Sequence, residues 1–199
     1  MKPVHIALPL VLMLFAAMAF ADSDPQKSTE KPSSPGNPYT NFTKEAYEGI
    51  QGILLRSAEK VPEEYYSFKP TDAVRSYGQI LGHVADAQYY FCSKVLGEKN
   101  PAPKIEQTKT SKADLIAALK EAFAYCGKAY DGMTDASGAQ LIPLFGDDDD
   151  TPKLGVLTVN NLHSVEHYGN LVTYMRLKNI VPPTSEPRVS PSNPPPPKK

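Results

Sequence analysis

The chain has 199 residues, 41% of them apolar, and its 21 lysines and arginines nearly balance its 22 aspartates and glutamates. This is the composition of one ordinary soluble domain. With so little net charge, nothing in the composition argues for a nucleic-acid partner, and we expect none.

The first segment of the chain is typical of an export signal. Lys2 precedes an apolar run that ends in Ala19-Phe20-Ala21, a small-x-small pattern that signal peptidases cut. The run is shorter than the ~20 residues that a spanning helix needs, and an uncleaved membrane anchor is the alternative. We predict a signal peptide at residues 1–21, no stable membrane insertion after cleavage, and an exported protein that is periplasmic or secreted.

Two segments rich in proline and serine enclose a single domain. Residues 22–38 and 182–199 contain few large apolar side chains, so we expect the first to be a disordered linker and the second a disordered tail. Residues 39–181 lie between them and carry helical periodicity. We predict that they form one helical domain.

Four amphipathic helices follow one another in this domain, and no convincing strand accompanies them. They are predicted over about 43–60, 74–96, 111–129 and 154–178, with Pro62, Gly97 and Pro182 at three of their ends. The pattern predicts an all-α fold, a four-helix bundle. The link between the second and third helices, about 14 residues, is long enough for a crossover connection that leaves them parallel, but it does not require one.

The two cysteines bear on the direction of these helices. Cys92 and Cys126 both lie well into the second and third predicted helices, so parallel helices would place them nearly level. An oxidising compartment permits a disulfide between them. Two buried thiols that behave as small hydrophobic groups are the alternative.

Three histidines remain after the signal peptide, and their placement points to a metal site. His163 and His167 are four residues apart on the fourth predicted helix, which places both imidazoles on one face. This is the usual way in which a helix offers two ligands to one metal ion. His83, on the second helix, could supply a third ligand and leave the metal open to water or substrate. Spacing alone leaves a hydrogen-bonded core cluster as an equal alternative.

Two blocks of the sequence resemble the signatures of the DinB/YfiT family. The run Leu162-His-Ser-Val-Glu-His-Tyr-Gly, followed by Arg176 and Pro182-Pro183, is similar to the C-terminal signature of the family. The run from Ser76 to Gln88 resembles the block that carries the family's first histidine. The resemblance implies a bundle with a long crossover and a parallel helix pair. It also implies that His83, His163 and His167 bind one divalent transition metal, such as zinc, nickel or iron.

Two carboxylates lie close to the histidines in sequence. Glu166 stands between two of them and Asp86 follows His83 by one helical turn. Each could orient an imidazole or accept a proton, so both are candidate catalytic or supporting residues, with a solvated surface charge as the alternative.

The reaction stays open between two classes. Three neutral histidines leave the charge of the metal uncancelled, so it would lower the pKa of a bound water strongly. We therefore expect a metal-dependent hydrolase that acts through metal-bound water on an unidentified small-molecule substrate. A metal-dependent transferase of small thiols and a non-catalytic metal- or ligand-binding stress protein are the alternatives. A homodimer is compatible with the sequence.

Overall fold

The computed structural model describes residues 36–146 and 150–187 of the chain. In chain order, its elements are α1 (Pro38–Lys60), α2 (Tyr77–Leu96), α3 (Ile105–Thr108), α4 (Lys112–Asp131), α5 (Asp135–Gly138), β1 (Leu141–Pro143), β2 (Asp150–Pro152) and α6 (Lys153–Leu177). Single turns of 3-10 helix lie at Glu63–Tyr65 and Pro183–Ser185. The four long helices α1, α2, α4 and α6 confirm the predicted all-α fold. The signal peptide, most of the linker and residues 188–199 of the predicted tail lie outside the described residues.

The ends of the long helices follow local signals, although two of them differ from the prediction. At the start of α2, Ser76 and Gln79 form a capping box, and Gly97 ends that helix in the left-handed conformation. The helix therefore begins later than predicted. In contrast, α1 begins earlier, at Pro38, because the fixed φ of proline suits a first helical turn.

Helices α2 and α4 run parallel, as the family resemblance implied. Near their starts, the Leu115 side chain lies against Gly78, and further along Cys92 and Cys126 form a disulfide with their Cα atoms 5.1 Å apart. The crossover between Gly97 and Ser111 returns the chain to the end of the bundle where α2 began, and α3 lies on this crossover.

Helix α1 runs antiparallel to α4. The Tyr47 hydroxyl, in the first half of α1, donates a hydrogen bond to the Phe123 carbonyl at 2.6 Å. At the opposite end, Lys112 Nζ donates to the carbonyl of Val61 at 2.7 Å. The buried face of α1 passes through Tyr47, while the preceding Ala46 is exposed.

Helix α6 runs antiparallel to α2, and a polar network lies between them. At the end of α6, the Tyr174 hydroxyl donates to the carbonyl of Arg75, just before α2. In the core, Gln88 Nε2 donates to Ser164 Oγ at 3.0 Å, and Gln88 Oε1 accepts from Asn160 Nδ2 at 2.9 Å. The buried line of α6 thus includes the polar residues Asn160 and Ser164.

The segment between α4 and α6 and the segment after α6 are both more structured than predicted. Between α4 and α6, β1 pairs antiparallel with β2, with Leu141 opposite Pro152. Beyond α6, residues predicted to begin a disordered tail pack back on the helix, where Pro183 is buried and Thr184 bonds to Tyr168. Among the residues that the structure describes, no helix combines the length and the apolar character needed to cross a membrane.

Candidate metal centre

Three imidazoles meet where α2 and α6 are in contact. His83 comes from α2, and His163 and His167 come from successive turns of α6. The Nε2 atom of His163 lies 3.0 Å from Nε2 of His83 and 3.1 Å from Nε2 of His167. The antiparallel packing of the two helices therefore points one ring nitrogen of each histidine at a common centre.

Burial keeps these three rings neutral. Removal from water lowers the pKa of His83 and of His167 below the ordinary histidine value. For His163, burial and the two neighbouring imidazoles together lower the pKa to about 4. Neutral imidazole is the form of histidine that binds metals.

A carboxylate that no sequence motif marks lies behind His83. Glu106, on α3, places Oε2 3.3 Å from Nδ1 of His83, and its Oε1 accepts a hydrogen bond from Arg75 Nε at 2.8 Å. Because a carboxylate accepts and does not donate, this arrangement favours a proton on Nδ1 of His83 and a lone pair on Nε2. Glu106 thus orients the first histidine.

Two residues of α2 place Glu106 there. Asp86 accepts hydrogen bonds from the backbone amides of Ile105 at 2.7 Å and Glu106 at 2.9 Å, and so caps α3. One turn earlier, Gly82 faces the same segment, and a Cβ there would lie 2.7 Å from the Cα of Glu106. Asp86, predicted from the sequence to orient an imidazole or accept a proton, forms its hydrogen bonds with α3 and so helps to hold Glu106 beside His83.

Three further polar residues of α6 lie near the histidines, among them the predicted Glu166. Glu166 is exposed and makes no hydrogen bond or ion pair with any residue in the described part of the chain. Asn170 Nδ2 lies 3.3 Å from Nδ1 of His167, while Tyr168 turns its hydroxyl to Thr184 and away from the rings.

The donor set fits a metal ion. A tetrahedral zinc ion with Zn–N distances of about 2.0–2.1 Å separates its nitrogen ligands by about 3.3–3.4 Å, slightly more than the separations here. A neutral His163 ring can donate from Nε2 to one neighbour at most, although two ring nitrogens contact that atom. A cation at the centre would instead accept a lone pair from all three. The three histidines therefore form a group that can hold one metal ion.

Two pockets open onto this group from different sides. One, of about 520 Å³, is lined by His83 and His163 together with apolar side chains of α2 and α6. The other, of about 760 Å³, is lined by His167 together with the polar loop of residues 69–75. Both have the size of small-molecule sites.

Comparison with known proteins identifies the family. Residues 46–171, more than half of the chain, match the sequence profile of the DinB superfamily. The chain belongs to the DinB superfamily. Both signature blocks quoted above overlap that range, so the predicted family is confirmed.

Solved structures of other DinB-like proteins have the same fold. A DinB-like protein from Bacillus cereus superposes with a TM-score of 0.64 at 15% identity, over 72% of this chain and 95% of that one. A DinB-like protein from Bacillus subtilis, YjoA, gives a TM-score of 0.57 at 21% identity, over 70% of this chain and 92% of that one. At these identities the likeness shows the fold alone. No protein with a curated description matches.

The residues predicted for this DinB-superfamily chain divide into two groups. His83, His163 and His167 come together as expected. Asp86 and Glu166 both line the 520 Å³ pocket, but neither forms a hydrogen bond with an imidazole. Glu106 was missed because it lies in the crossover, where no periodic pattern or motif marks it.

Proposed function

We propose that this DinB-superfamily chain is an exported protein that binds one divalent transition metal and hydrolyses a small-molecule substrate. His83, His163 and His167 would hold the metal. The observation that carries the proposal is the meeting of three neutral imidazoles between two pockets of substrate size. A protein that only stores metal needs no such cavities.

The residues around the histidines have separable roles in this proposal. A divalent ion bound there would supply a Lewis acid and lower the pKa of water in contact with it. Glu106 holds the His83 ring with its Nε2 lone pair towards the centre. Glu166, at the edge of the 520 Å³ pocket and without an ion-pair partner in the described chain, is the carboxylate available to accept a proton.

The disulfide supports both export and the choice of water as the nucleophile. A bond between Cys92 and Cys126 needs an oxidising compartment to persist. Such a compartment contains little reduced small thiol, which a transferase would need as its co-substrate. These considerations favour the hydrolase over the thiol transferase.

A hydrolysis assay with metal removal and return tests the activity. We expect the purified protein to hydrolyse neutral esters or amides, to lose turnover on chelation, and to regain it with zinc, nickel or iron. Glu166→Gln should lower turnover by about 10²- to 10⁴-fold, as expected for loss of a general base, while the exposed control Glu45→Gln on α1 should leave it unchanged. Stoichiometric metal with no turnover on either substrate class would contradict the hydrolase and favour a binding protein.

A further inference from the structure

We propose that the 520 Å³ pocket selects substrates that carry an uncharged apolar group, and that Leu162 and Glu166 determine this specificity. This inference rests on the proposed function, whose substrate class it names. The pocket, called here the apolar pocket, is lined by His83 and His163 together with Tyr90, Phe91, Phe145, Val159 and Leu162, among others.

The side chains of the apolar pocket are suited to an apolar ligand. Leu162 is 63% exposed and Phe145 71% exposed, although both are large apolar residues. Both line the same pocket as the two histidines. Apolar surface that remains in contact with water beside convergent polar atoms is typical of a ligand site. An alkyl, aryl or acyl group of the substrate would cover it.

The side-chain charges at the apolar pocket disfavour an anionic group that is not bound to the metal. Its carboxylates are Asp86, whose oxygens are both engaged by backbone amides of the crossover, and Glu166, which has no ion-pair partner among the described residues. None of the described residues that line the pocket is lysine or arginine. A carboxylate or phosphate that lies there out of contact with the metal would meet Glu166 without a compensating side-chain cation.

Among its described residues, the second pocket offers no unpaired lysine or arginine that could bind an anionic group of the substrate instead. Its lysine and arginine are already paired, Lys69 with Asp72 at 3.1 Å and Arg75 with Glu106 at 2.8 Å. Both cationic side chains on this side of the histidines are therefore paired with carboxylates. We infer a substrate whose apolar group lies in the apolar pocket and whose polar remainder lies towards the metal and His167.

Hydrolysis of such a substrate would also favour release of its product. In a neutral ester, the water oxygen bonds to the acyl carbon while the bond from that carbon to the alkoxy oxygen breaks, and the alkoxy oxygen takes up a proton. The acid formed then loses its own proton to solvent and becomes a carboxylate. Glu166 would repel that carboxylate and so offset part of its attraction to the metal.

Binding of straight-chain amides, measured by calorimetry on the purified full-length mature protein, tests the pocket without any need for turnover. We expect affinity to rise about fourfold per methylene from butanamide to octanamide, as for buried CH₂ groups. In protein freed of metal by chelation, where no ion can bind the carboxylate, hexanamide should bind roughly tenfold more tightly than adipic acid monoamide, which carries a carboxylate at the far end of the same chain. Glu166→Gln should narrow that difference in affinity.

A matched pair of leucine variants provides the control. Leu162→Ser should weaken octanamide binding by roughly tenfold through lost apolar contact, whereas Leu177→Ser, on the same helix and also exposed but outside the pocket, should not. The inference would be overturned if affinity were equal at every chain length or if the two leucine variants had equal effects. It would also be overturned if adipic acid monoamide bound as tightly as hexanamide. Length-dependent binding without hydrolysis would overturn the proposed function instead and leave the pocket assignment standing.

Discussion

Gly82 determines how closely the crossover approaches the histidines. A methyl group at this position would meet the Cα of Glu106 at 2.7 Å, and a backbone atom cannot rotate aside as the end of a side chain can. Any larger residue must therefore displace α3 and move the Glu106 carboxylate away from His83. The glycine therefore influences the orientation of the His83 ring through Glu106.

We expect Gly82→Ala to lower metal affinity by about 10- to 100-fold, the usual effect of losing a residue that orients a ligand. Overpacking should also destabilise the fold by about 1–3 kcal/mol. Zinc titration after chelation and thermal unfolding measure the two effects. The control is Gly49→Ala on α1, where a new Cβ meets nothing within 4 Å; it should leave affinity unchanged and raise stability by up to ~1 kcal/mol. Unchanged zinc affinity in Gly82→Ala would contradict the role of Glu106.

At the level of single residues, the sequence pointed to the three histidines but not to the carboxylate that orients His83. His163 and His167 could be predicted because a four-residue spacing fixes two side chains on one helix face without knowledge of the rest of the fold. Glu106 could not, because its contact with His83 depends on the path of an aperiodic crossover. Asp86 was correctly singled out as close to the site, but its partners are amides on that same crossover.

Among the elements, α2, α4 and α6 are joined by a buried polar network. Asn160 on α6 donates to Gln88 on α2 at 2.9 Å and to the Tyr130 hydroxyl on α4 at 3.1 Å. These bonds require one register of three helices, since buried polar groups are costly when they lose their partners.

Asn160→Ala should destabilise the fold by about 1–3 kcal/mol, because it leaves the buried Gln88 carbonyl oxygen without its donor. Asn41→Ala is the matched control, since Asn41 is exposed on α1 and should change stability by no more than about 0.5 kcal/mol. Urea unfolding measures both variants. Equal stability of the two would mean that the network contributes nothing to the register.

The long helices could be predicted because their apolar residues recur with helical periodicity over many turns. The same rule misplaced the core line of α6, because it treats Asn160 and Ser164 as surface residues, and only neighbouring helices can satisfy them in the core. The hairpin of β1 and β2 escaped prediction because each strand has three residues and contains a proline.

At the scale of the whole molecule, the disulfide joins the two parallel helices on either side of the crossover. Cys92 and Cys126 are 34 residues apart, and closing a loop of that length stabilises a fold by roughly 3–4 kcal/mol in the chain-entropy description. The length of the link between α2 and α4 allowed these helices to be parallel or antiparallel. The prediction that they are parallel therefore rested on the cysteines and the family resemblance.

Cys126→Ala should therefore lower the free energy of unfolding by about 2–5 kcal/mol. Denaturant unfolding of the variant, the parent and the reduced parent measures this, and the reduced parent should behave like the variant. Intact mass of the mature protein should rise by about 2 Da on reduction, since each sulfur gains a hydrogen. An unchanged mass would show that the two thiols are free.

The central claim is that the bundle assembles one metal site from His83, His163 and His167. Metal analysis of protein purified without a metal-affinity tag tests it most directly, with His163→Ala and Glu166→Ala analysed in parallel and helical content checked by circular dichroism. We expect about one divalent transition metal ion per chain in the parent and in Glu166→Ala, and its loss from a folded His163→Ala. A parent without metal, or a His163→Ala variant that keeps a full complement, would contradict the claim.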